Sequence, residues 1–261
     1  MAIKTVTSKD GTTIAYEQSG TGPAVILVCG GSVDRSSNAG LAALLSDRFT
    51  VYNYDRRGRG DSGDTPPYAV EREIEDIEAV ADAAGGSAYL YGSSSGAALA
   101  MEAARQLPGK ITKLAMWEPP YIPDGFPKPP ANTAQIYTDL VAQGKRGEAA
   151  EFFMAKVVGM PPEFVAQARN APWWPAQEAL AHTLAYDATV MGDYTLPAER
   201  AAEVKIPTIV LDGGASMPFM HPTAVALVGV LPNGQQRTLE GQRHDADAAV
   251  LAAAVGEFFA A

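Results

Sequence analysis

The sequence is poor in the residues that build disulfides and metal centres. Its 261 residues include one cysteine, Cys29, and three histidines, His182, His221 and His244. A single cysteine excludes an internal disulfide and favours a reducing, cytoplasmic compartment. The three histidines do not have the spacing of metal ligands. We therefore expect neither a bound metal ion nor another cofactor.

Basic charge and long apolar runs are also scarce. Twenty Lys and Arg residues against 30 Asp and Glu residues give a net charge of −10, whereas phosphate binding needs basic patches. No run approaches the roughly 18 apolar residues of a membrane span, and residues 1–6 lack the apolar segment of a secretory signal. We expect no nucleic-acid partner and no membrane partner. The oligomeric state is left open, with a homo-oligomer as one alternative.

Apolar residues make up 47% of the chain, enough to bury a substantial core. Short apolar runs alternate with helical patterns, which predicts an α/β fold with a mostly parallel sheet. The predicted strands are 3–8, 12–18, 24–29, 49–54, 88–91, 111–117, 206–211 and 236–239.

One stretch between a predicted strand and an alanine-rich predicted helix has the pattern G-x-S-x-G, with Ser94 at its centre. A strand that turns directly into a helix strains the backbone of its turn residue, and glycines on both sides prevent collisions with the neighbouring elements. The central hydroxyl is then held at a helix N-terminus, where a backbone N–H faces a developing oxyanion. The pattern predicts a nucleophilic serine; a small-residue turn is the alternative.

A second glycine-rich turn follows the buried strand 24–29, with the sequence Gly30-Gly31-Ser32. A glycine pair lets backbone amides approach a ligand closely. If Ser94 is the nucleophile, we expect the N–H groups of Gly31 and Ser95 to bind the oxyanion. An ordinary turn between strand and helix is the alternative.

A third loop, residues 54–62, reads Tyr-Asp-Arg-Arg-Gly-Arg-Gly-Asp-Ser. We expect it to fold back and support the serine turn, with Arg56 and Arg57 as structural residues. Together, the strand ending in Gly-Gly, this loop and the G-x-S-x-G turn resemble the α/β-hydrolase superfamily over essentially the whole chain. The resemblance implies an eight-stranded, mostly parallel sheet flanked by helices, with a helical cap inserted late.

Composition changes after the strand 111–117. Residues 119–202 are rich in proline, aromatic residues and methionine, which predicts the cap, while 1–118 and 203–261 form the core domain. An apolar cap over a polar site indicates a small-molecule substrate with a hydrophobic body. Most of these side chains are expected only to attach the cap to the sheet.

The histidine of the site is expected to be His244, because it follows the last predicted strand and fits the order serine, acid, histidine. His182 falls in a predicted cap helix and His221 in a loop rich in methionine and proline, so both are expected to pack or lie at the surface. The acid is harder to assign. Most members of the superfamily have Gly-x-x-Asp after the strand before the last, and this chain has Ser216 at the acid position.

Three alternatives remain for the acid: Asp212, Glu118, or loss of the triad. A narrower resemblance favours Glu118. The fungal zearalenone lactonases are similar in the serine turn, lack the late aspartate, and place a glutamate directly after the strand that follows the nucleophile helix. Their cap motif Asn-x-Pro-x-Trp matches residues 170–174, which implies that Trp174 contacts the ligand.

The predicted function is a serine hydrolase acting on a carboxylic ester or lactone through Ser94, His244 and Glu118. Two alternatives stay open. One keeps the site but changes the chemistry to a cofactor-free haloperoxidase, a perhydrolase or a lyase. The other is a catalytically inactive, ligand-binding member of the fold.

Overall fold

An eight-stranded sheet runs through the centre of the computed structural model, which describes residues 2–261. The strands are β1 (Ile3–Thr7), β2 (Thr13–Ser19), β3 (Ala24–Val28), β4 (Thr50–Tyr54), β5 (Ala88–Ser93), β6 (Ile111–Trp117), β7 (Thr208–Gly213) and β8 (Gly234–Leu239). Their order is β1-β2-β4-β3-β5-β6-β7-β8. β2 is antiparallel to β1 and β4, and the other neighbours are parallel. The predicted fold class is confirmed.

The sheet is covered on both faces, which explains why its central strands are continuous apolar runs. Along β3, Val25 and Leu27 belong to one buried cluster, whereas Ile26 and Val28 belong to another. Successive side chains of a strand point to opposite faces. A parallel strand buried on both faces therefore needs an unbroken apolar run.

The helices divide between these two faces and the cap. They are α1 (Ala39–Leu45), α2 (Val70–Ala83), α3 (Ser95–Gln106), α4 (Thr133–Ala142), α5 (Arg146–Phe152), α6 (Pro162–Ala168), α7 (Trp174–Leu180), α8 (Leu184–Met191), α9 (Ala198–Ala201), α10 (Met220–Val228) and α11 (Ala248–Ala260). α1 and α11 pack together on one face, and α2, α3 and α10 pack on the other.

Helices α4 to α9 lie between β6 and β7 in the chain, within the segment where composition changes. They bury two small cores of their own, one around Tyr137 and Leu184 and one around Met154 and Trp174. Residues 153–157 form a π-helical turn after α5. This helical layer is called the cap below.

The expected loop around His221 is wrong, because His221 is the second residue of α10. Pro222 obscured the helix in the sequence. It is the third residue of α10, where a backbone N–H has no acceptor inside the helix, so proline is tolerated there. Among residues 2–261, no helix is both long and apolar enough to cross a bilayer.

Candidate active site

Ser94 occupies a strained turn between β5 and α3. Its φ of 55° and ψ of −128° lie in a backbone region that residues other than glycine rarely adopt. The flanking glycines allow this turn: a Cβ on Gly92 would lie 2.4 Å from the Gly96 carbonyl oxygen, and one on Gly96 would lie 2.3 Å from that of Cys29. Strain of this kind concentrates at functional sites.

Glu118 and His244 come together beside this turn. His244 Nδ1 donates to Glu118 Oε2 over 2.6 Å, and Glu118 Oε1 accepts from the Gly213 N–H at 2.8 Å. The Glu118 side chain is fully buried, and its φ is 44°. His244 Nε2 makes no hydrogen bond to any residue in the range 2–261 and remains available to a nucleophile.

Asp212, the alternative acid, is engaged elsewhere. Its carboxylate accepts from Gln236 Nε2 at 2.5 Å and from Thr238 Oγ1 at 3.1 Å, both on β8. His221 Nδ1 on α10 lies 3.1 Å from Asp212 Oδ2. The Asp212 carboxylate is thus directed towards β8 and α10 and makes no hydrogen bond to His244.

Trp117 links the three site residues. Its carbonyl oxygen accepts from the Ser94 N–H at 2.9 Å, and its indole Nε1 donates to the His244 carbonyl oxygen at 2.9 Å. Glu118 is its neighbour in the chain. The end of β6 therefore fixes the serine turn, the carboxylate and the histidine loop relative to one another.

The two amides expected to bind an oxyanion line the same cavity as Ser94. Gly31 and Ser95 both lie on its wall. Within residues 2–261, neither the Gly31 N–H nor the Ser95 N–H donates a hydrogen bond. Ser95 is the first residue of α3, so its N–H also lies at the positive end of the helix dipole.

A buried ionic cluster lies behind these two residues. Arg56 forms a bidentate pair with Glu73 at 2.7 Å and donates to Asp187 Oδ1 at 2.7 Å, while Arg59 Nη2 donates to both oxygens of Asp187 at 2.9 Å. Burial acts to raise the pKa of Asp187, but the guanidinium groups of Arg59 and Arg56 outweigh it and hold the pKa below its usual value. The carboxylate is therefore ionised at neutral pH.

Arg57 is also fully buried and is paired outside the site. It donates to both oxygens of Asp76 at 2.8 Å and to Asp10 at 2.9 Å. Arg56 and Arg57 thus hold the 54–62 loop against α2, and neither lines the cavity. Both have structural contacts, as expected, but neither donates a hydrogen bond to residues 92–96 of the serine turn.

The cavity has a volume of about 500 Å³, within the usual range of small-molecule sites. Ser94 and His244 lie on its wall. Most of its large apolar side chains come from α1, from the segment between β6 and β7, from residues 217–220 and from α11: Leu41, Ile122, Phe153, Val157, Val158, Met160, Met191, Met217, Phe219, Met220 and Leu251. No Lys or Arg of residues 2–261 lines it, and Asp187 and Asp245 are its carboxylates.

Comparison with known proteins identifies the family of the chain. Residues 25–254 match the model of the alpha/beta hydrolase family. The chain belongs to the alpha/beta hydrolase family. A solved alpha/beta hydrolase from Sphaerobacter thermophilus is 51% identical, with a TM-score of 0.92, and the match covers 98% of this chain and 100% of that one.

Two further matches of the chain are described as esterases. The pimeloyl-[acyl-carrier protein] methyl ester esterase of Methylococcus capsulatus is 31% identical over 151 residues, which is 56% of this chain and 58% of that protein. The chain thus spans less than two thirds of the length of the curated relatives it matches. A thermophilic esterase from Thermogutta terrifontis is 22% identical, with a TM-score of 0.79, and the match covers 100% of this chain and 98% of that one. At that identity the likeness concerns the fold alone.

Trp174 does not line the cavity, so the structure gives no support to the ligand contact expected from the cap motif. Its side chain is 5% exposed and packs with Ala150, Met154 and Ala168 inside the cap. As the first residue of α7 it faces α5, where the ring lies 3.8 Å from the position of a Cβ on Gly147. Other cap residues, among them Phe153 and Met191, form the wall instead.

The sequence analysis missed Asp187, Arg59 and Trp117 as residues of the candidate site. A signal for Asp187 was present, because it is the one charged residue of the apolar helix α8. The other two had no such signal, since their contacts join segments far apart in the chain. Within residues 2–261, no group of three or more His, Cys, Asp or Glu residues is arranged to hold a metal ion.

Proposed function

We propose that this alpha/beta hydrolase is a serine hydrolase that cleaves a carboxylic ester or lactone. The observation that carries the proposal is the 2.6 Å hydrogen bond between His244 and Glu118 beside a cavity that also exposes Ser94. A histidine oriented by a buried carboxylate is the arrangement that activates a serine hydroxyl.

In the proposed reaction, His244 Nε2 takes the proton of the Ser94 hydroxyl as its oxygen attacks the acyl carbon. Glu118 holds the Nδ1–H, which fixes the tautomer and stabilises the imidazolium that forms. The amides of Gly31 and Ser95 stabilise the oxyanion. His244 then returns the proton to the leaving alcohol, and a water molecule activated by the same imidazole cleaves the acyl-enzyme.

The cavity supports an uncharged substrate with an apolar body. Its wall carries aliphatic, methionine and aromatic side chains, and none of its residues is a Lys or Arg that could pair with an anionic acyl chain. A carboxylate placed there would lose its hydration without gaining a partner, which is costly. Asp187 offers no free charge, because Arg56 and Arg59 neutralise it.

The inactive-scaffold alternative depended on Ser216 at the usual acid position. The Glu118–His244 hydrogen bond removes that argument, since a carboxylate already reaches the histidine from β6. The buried Ser216 hydroxyl has no hydrogen-bond partner among residues 2–261 and takes no part in the proposed reaction.

A substrate panel tests the proposal. We expect hydrolysis of p-nitrophenyl hexanoate and loss of that activity in Ser94→Ala, with turnover retained in the neighbouring control Ser93→Ala. The p-nitrophenyl monoester of adipic acid, of equal chain length but anionic, should show a kcat/KM at least about tenfold lower, or ~1.4 kcal/mol. Undiminished turnover by Ser94→Ala would overturn the mechanism. Equal rates on the two esters would overturn the preference for uncharged substrates. A macrocyclic lactone in the same panel tests ring opening.

A further inference from the structure

The cap reaches both proposed oxyanion donors through one carboxylate. Asp187, on cap helix α8, accepts from the Ser95 hydroxyl at 2.8 Å. A Cβ on Gly31 would lie only 3.1 Å from Asp187 Oδ2, so this carboxylate packs directly against the Gly31 backbone. The two residues whose amides face the cavity thus contact the same cap side chain.

The arginines bound to Asp187 also hold the turn that contains Gly31, residues 29–33, which we call the oxyanion loop. Arg59 Nη1 donates to the Gly30 carbonyl oxygen at 2.5 Å and to that of Val33 at 3.0 Å. Arg56 Nη1 lies 3.4 Å from the Cys29 carbonyl oxygen. Both guanidinium groups are fully buried, so their positions depend on the carboxylates that pair with them.

A second cap residue contacts the same loop. Ser32, which has a φ of 58°, donates from its hydroxyl to Gln177 Oε1 at 2.6 Å, and Gln177 Nε2 donates to the Ser32 carbonyl oxygen at 3.2 Å. Gln177 is on α7. The oxyanion loop is therefore held from the cap side at two points.

We infer that Asp187 is a positioning residue through which the docked cap fixes the oxyanion loop and Ser95. Its effect on turnover rests on the proposed function, whereas its effect on loop order does not. The cap then contributes to the reaction itself as well as to the shape of the cavity.

The neutral variant Asp187→Asn separates positioning from charge. It leaves Arg59 buried without an ionic partner and weakens the hold on the Gly30 and Val33 carbonyl groups. Coulomb's law alone predicts the opposite effect on turnover, because removing a negative charge near a developing oxyanion lowers its energy. A fall in kcat therefore indicates positioning, and a rise overturns the inference.

The first experiment measures hydrogen exchange by mass spectrometry on the unliganded protein. We expect Asp187→Asn to accelerate deuterium uptake in residues 29–33 by about threefold or more. The matched control is Tyr186→Phe, on the same helix, which removes the 2.7 Å bond to Asp64 but keeps the ring stacked on Tyr68. It should leave uptake in the oxyanion loop unchanged. Equal uptake in Asp187→Asn and wild type would overturn the inference.

The second experiment measures turnover. For p-nitrophenyl acetate we expect Asp187→Asn to lower kcat on the order of 10- to 100-fold with little change in KM, and Tyr186→Phe to keep the wild-type kcat. Sulfur accepts hydrogen bonds poorly, so the rate ratio of an ester to its thiono analogue reports the oxyanion donors. That ratio should fall in Asp187→Asn, and an unchanged ratio would contradict a role at the oxyanion.

Ser95→Ala provides a second test of the inference if Asp187→Asn does not fold. It deletes only the hydroxyl that binds Asp187 and keeps the Ser95 amide, so the same ratio should fall with a smaller loss of kcat. An unchanged ratio in this variant counts against the inference. If wild type hydrolyses none of these esters, the proposed function fails, and hydrogen exchange still decides whether Asp187 holds the loop.

Discussion

Glu118 and Asp212, near the ends of the neighbouring strands β6 and β7, have different partners, so their substitutions should lower kcat to different extents. Glu118 bonds His244, whereas Asp212 bonds β8 side chains and His221. Glu118→Gln is isosteric but favours the wrong imidazole tautomer, so kcat should fall on the order of 10³–10⁴. Asp212→Asn should cost about tenfold or less, because its partners lie outside the cavity.

Ester kinetics of the two variants, with far-UV circular dichroism as the control for folding, check this prediction. The reverse ranking would move the acid to Asp212. Near-wild-type kcat in both variants would mean that Ser94 and His244 work without a carboxylate.

At the residue scale, local patterns in the sequence predicted Ser94 and His244. They left three alternatives for the acid, among which only the lactonase resemblance favoured Glu118. The G-x-S-x-G spacing depends on local sterics, which the structure shows as close approaches at Gly92 and Gly96. The acid depends on a contact between β6 and a loop over a hundred residues away. No local pattern encodes such a contact; the structure reveals it through the bond itself and the positive φ of Glu118.

At the scale of elements, two large aromatic side chains have separate roles, one inside the cap and one outside it. Trp174 packs in the cap's own core, whereas Phe219, before α10, faces the cavity. Trp174→Ala should lower the free energy of unfolding by about 3–5 kcal/mol and reduce turnover of acetyl and hexanoyl esters alike. Phe219→Ala should lower the hexanoyl-to-acetyl ratio of kcat/KM, because it removes apolar contact that only the longer chain uses.

Urea unfolding and kinetics on both esters distinguish the two roles. If Trp174→Ala changed the ratio of the two esters while stability stayed intact, the ligand contact predicted from the cap motif would be restored. A shift in stability alone for Phe219→Ala would make that ring a packing residue.

The cap was the least predictable set of elements. Proline-rich composition indicated a separate helical segment, but α6, most of α8, α9 and the π-helical turn at 153–157 were not predicted. Outside the cap, α10 was missed as well. Short helices bury few residues and leave weak periodicity. The ion pairs of Asp187 with Arg56 and Arg59 join α8 to the 54–62 loop. Their electrostatic attraction is strong because the groups are buried, and only the assembled protein creates that burial.

At the scale of the whole molecule, the sequence was sufficient for the positions of the eight strands, and the resemblance implied a mostly parallel sheet. The strand order came only from the structure. Each predicted strand lies within a few residues of the observed one. For the central strands the reason is that a strand buried on both faces leaves a continuous apolar run. Strand order requires knowing which faces the crossover helices cover, and apolar runs carry no such information. In the structure, parallel neighbours bring the ends of β3, β5 and β6 to one edge, where the site lies.

The central claim, that Ser94 is a nucleophile activated by His244 and Glu118, is tested most directly by intact-mass spectrometry after treatment with a fluorophosphonate. We predict one adduct per chain, mapped to the peptide that contains Ser94. Ser94→Ala should gain no adduct, and Glu118→Gln should be labelled more slowly. An adduct on Ser93 or Ser95, or undiminished labelling of Ser94→Ala, would contradict the account.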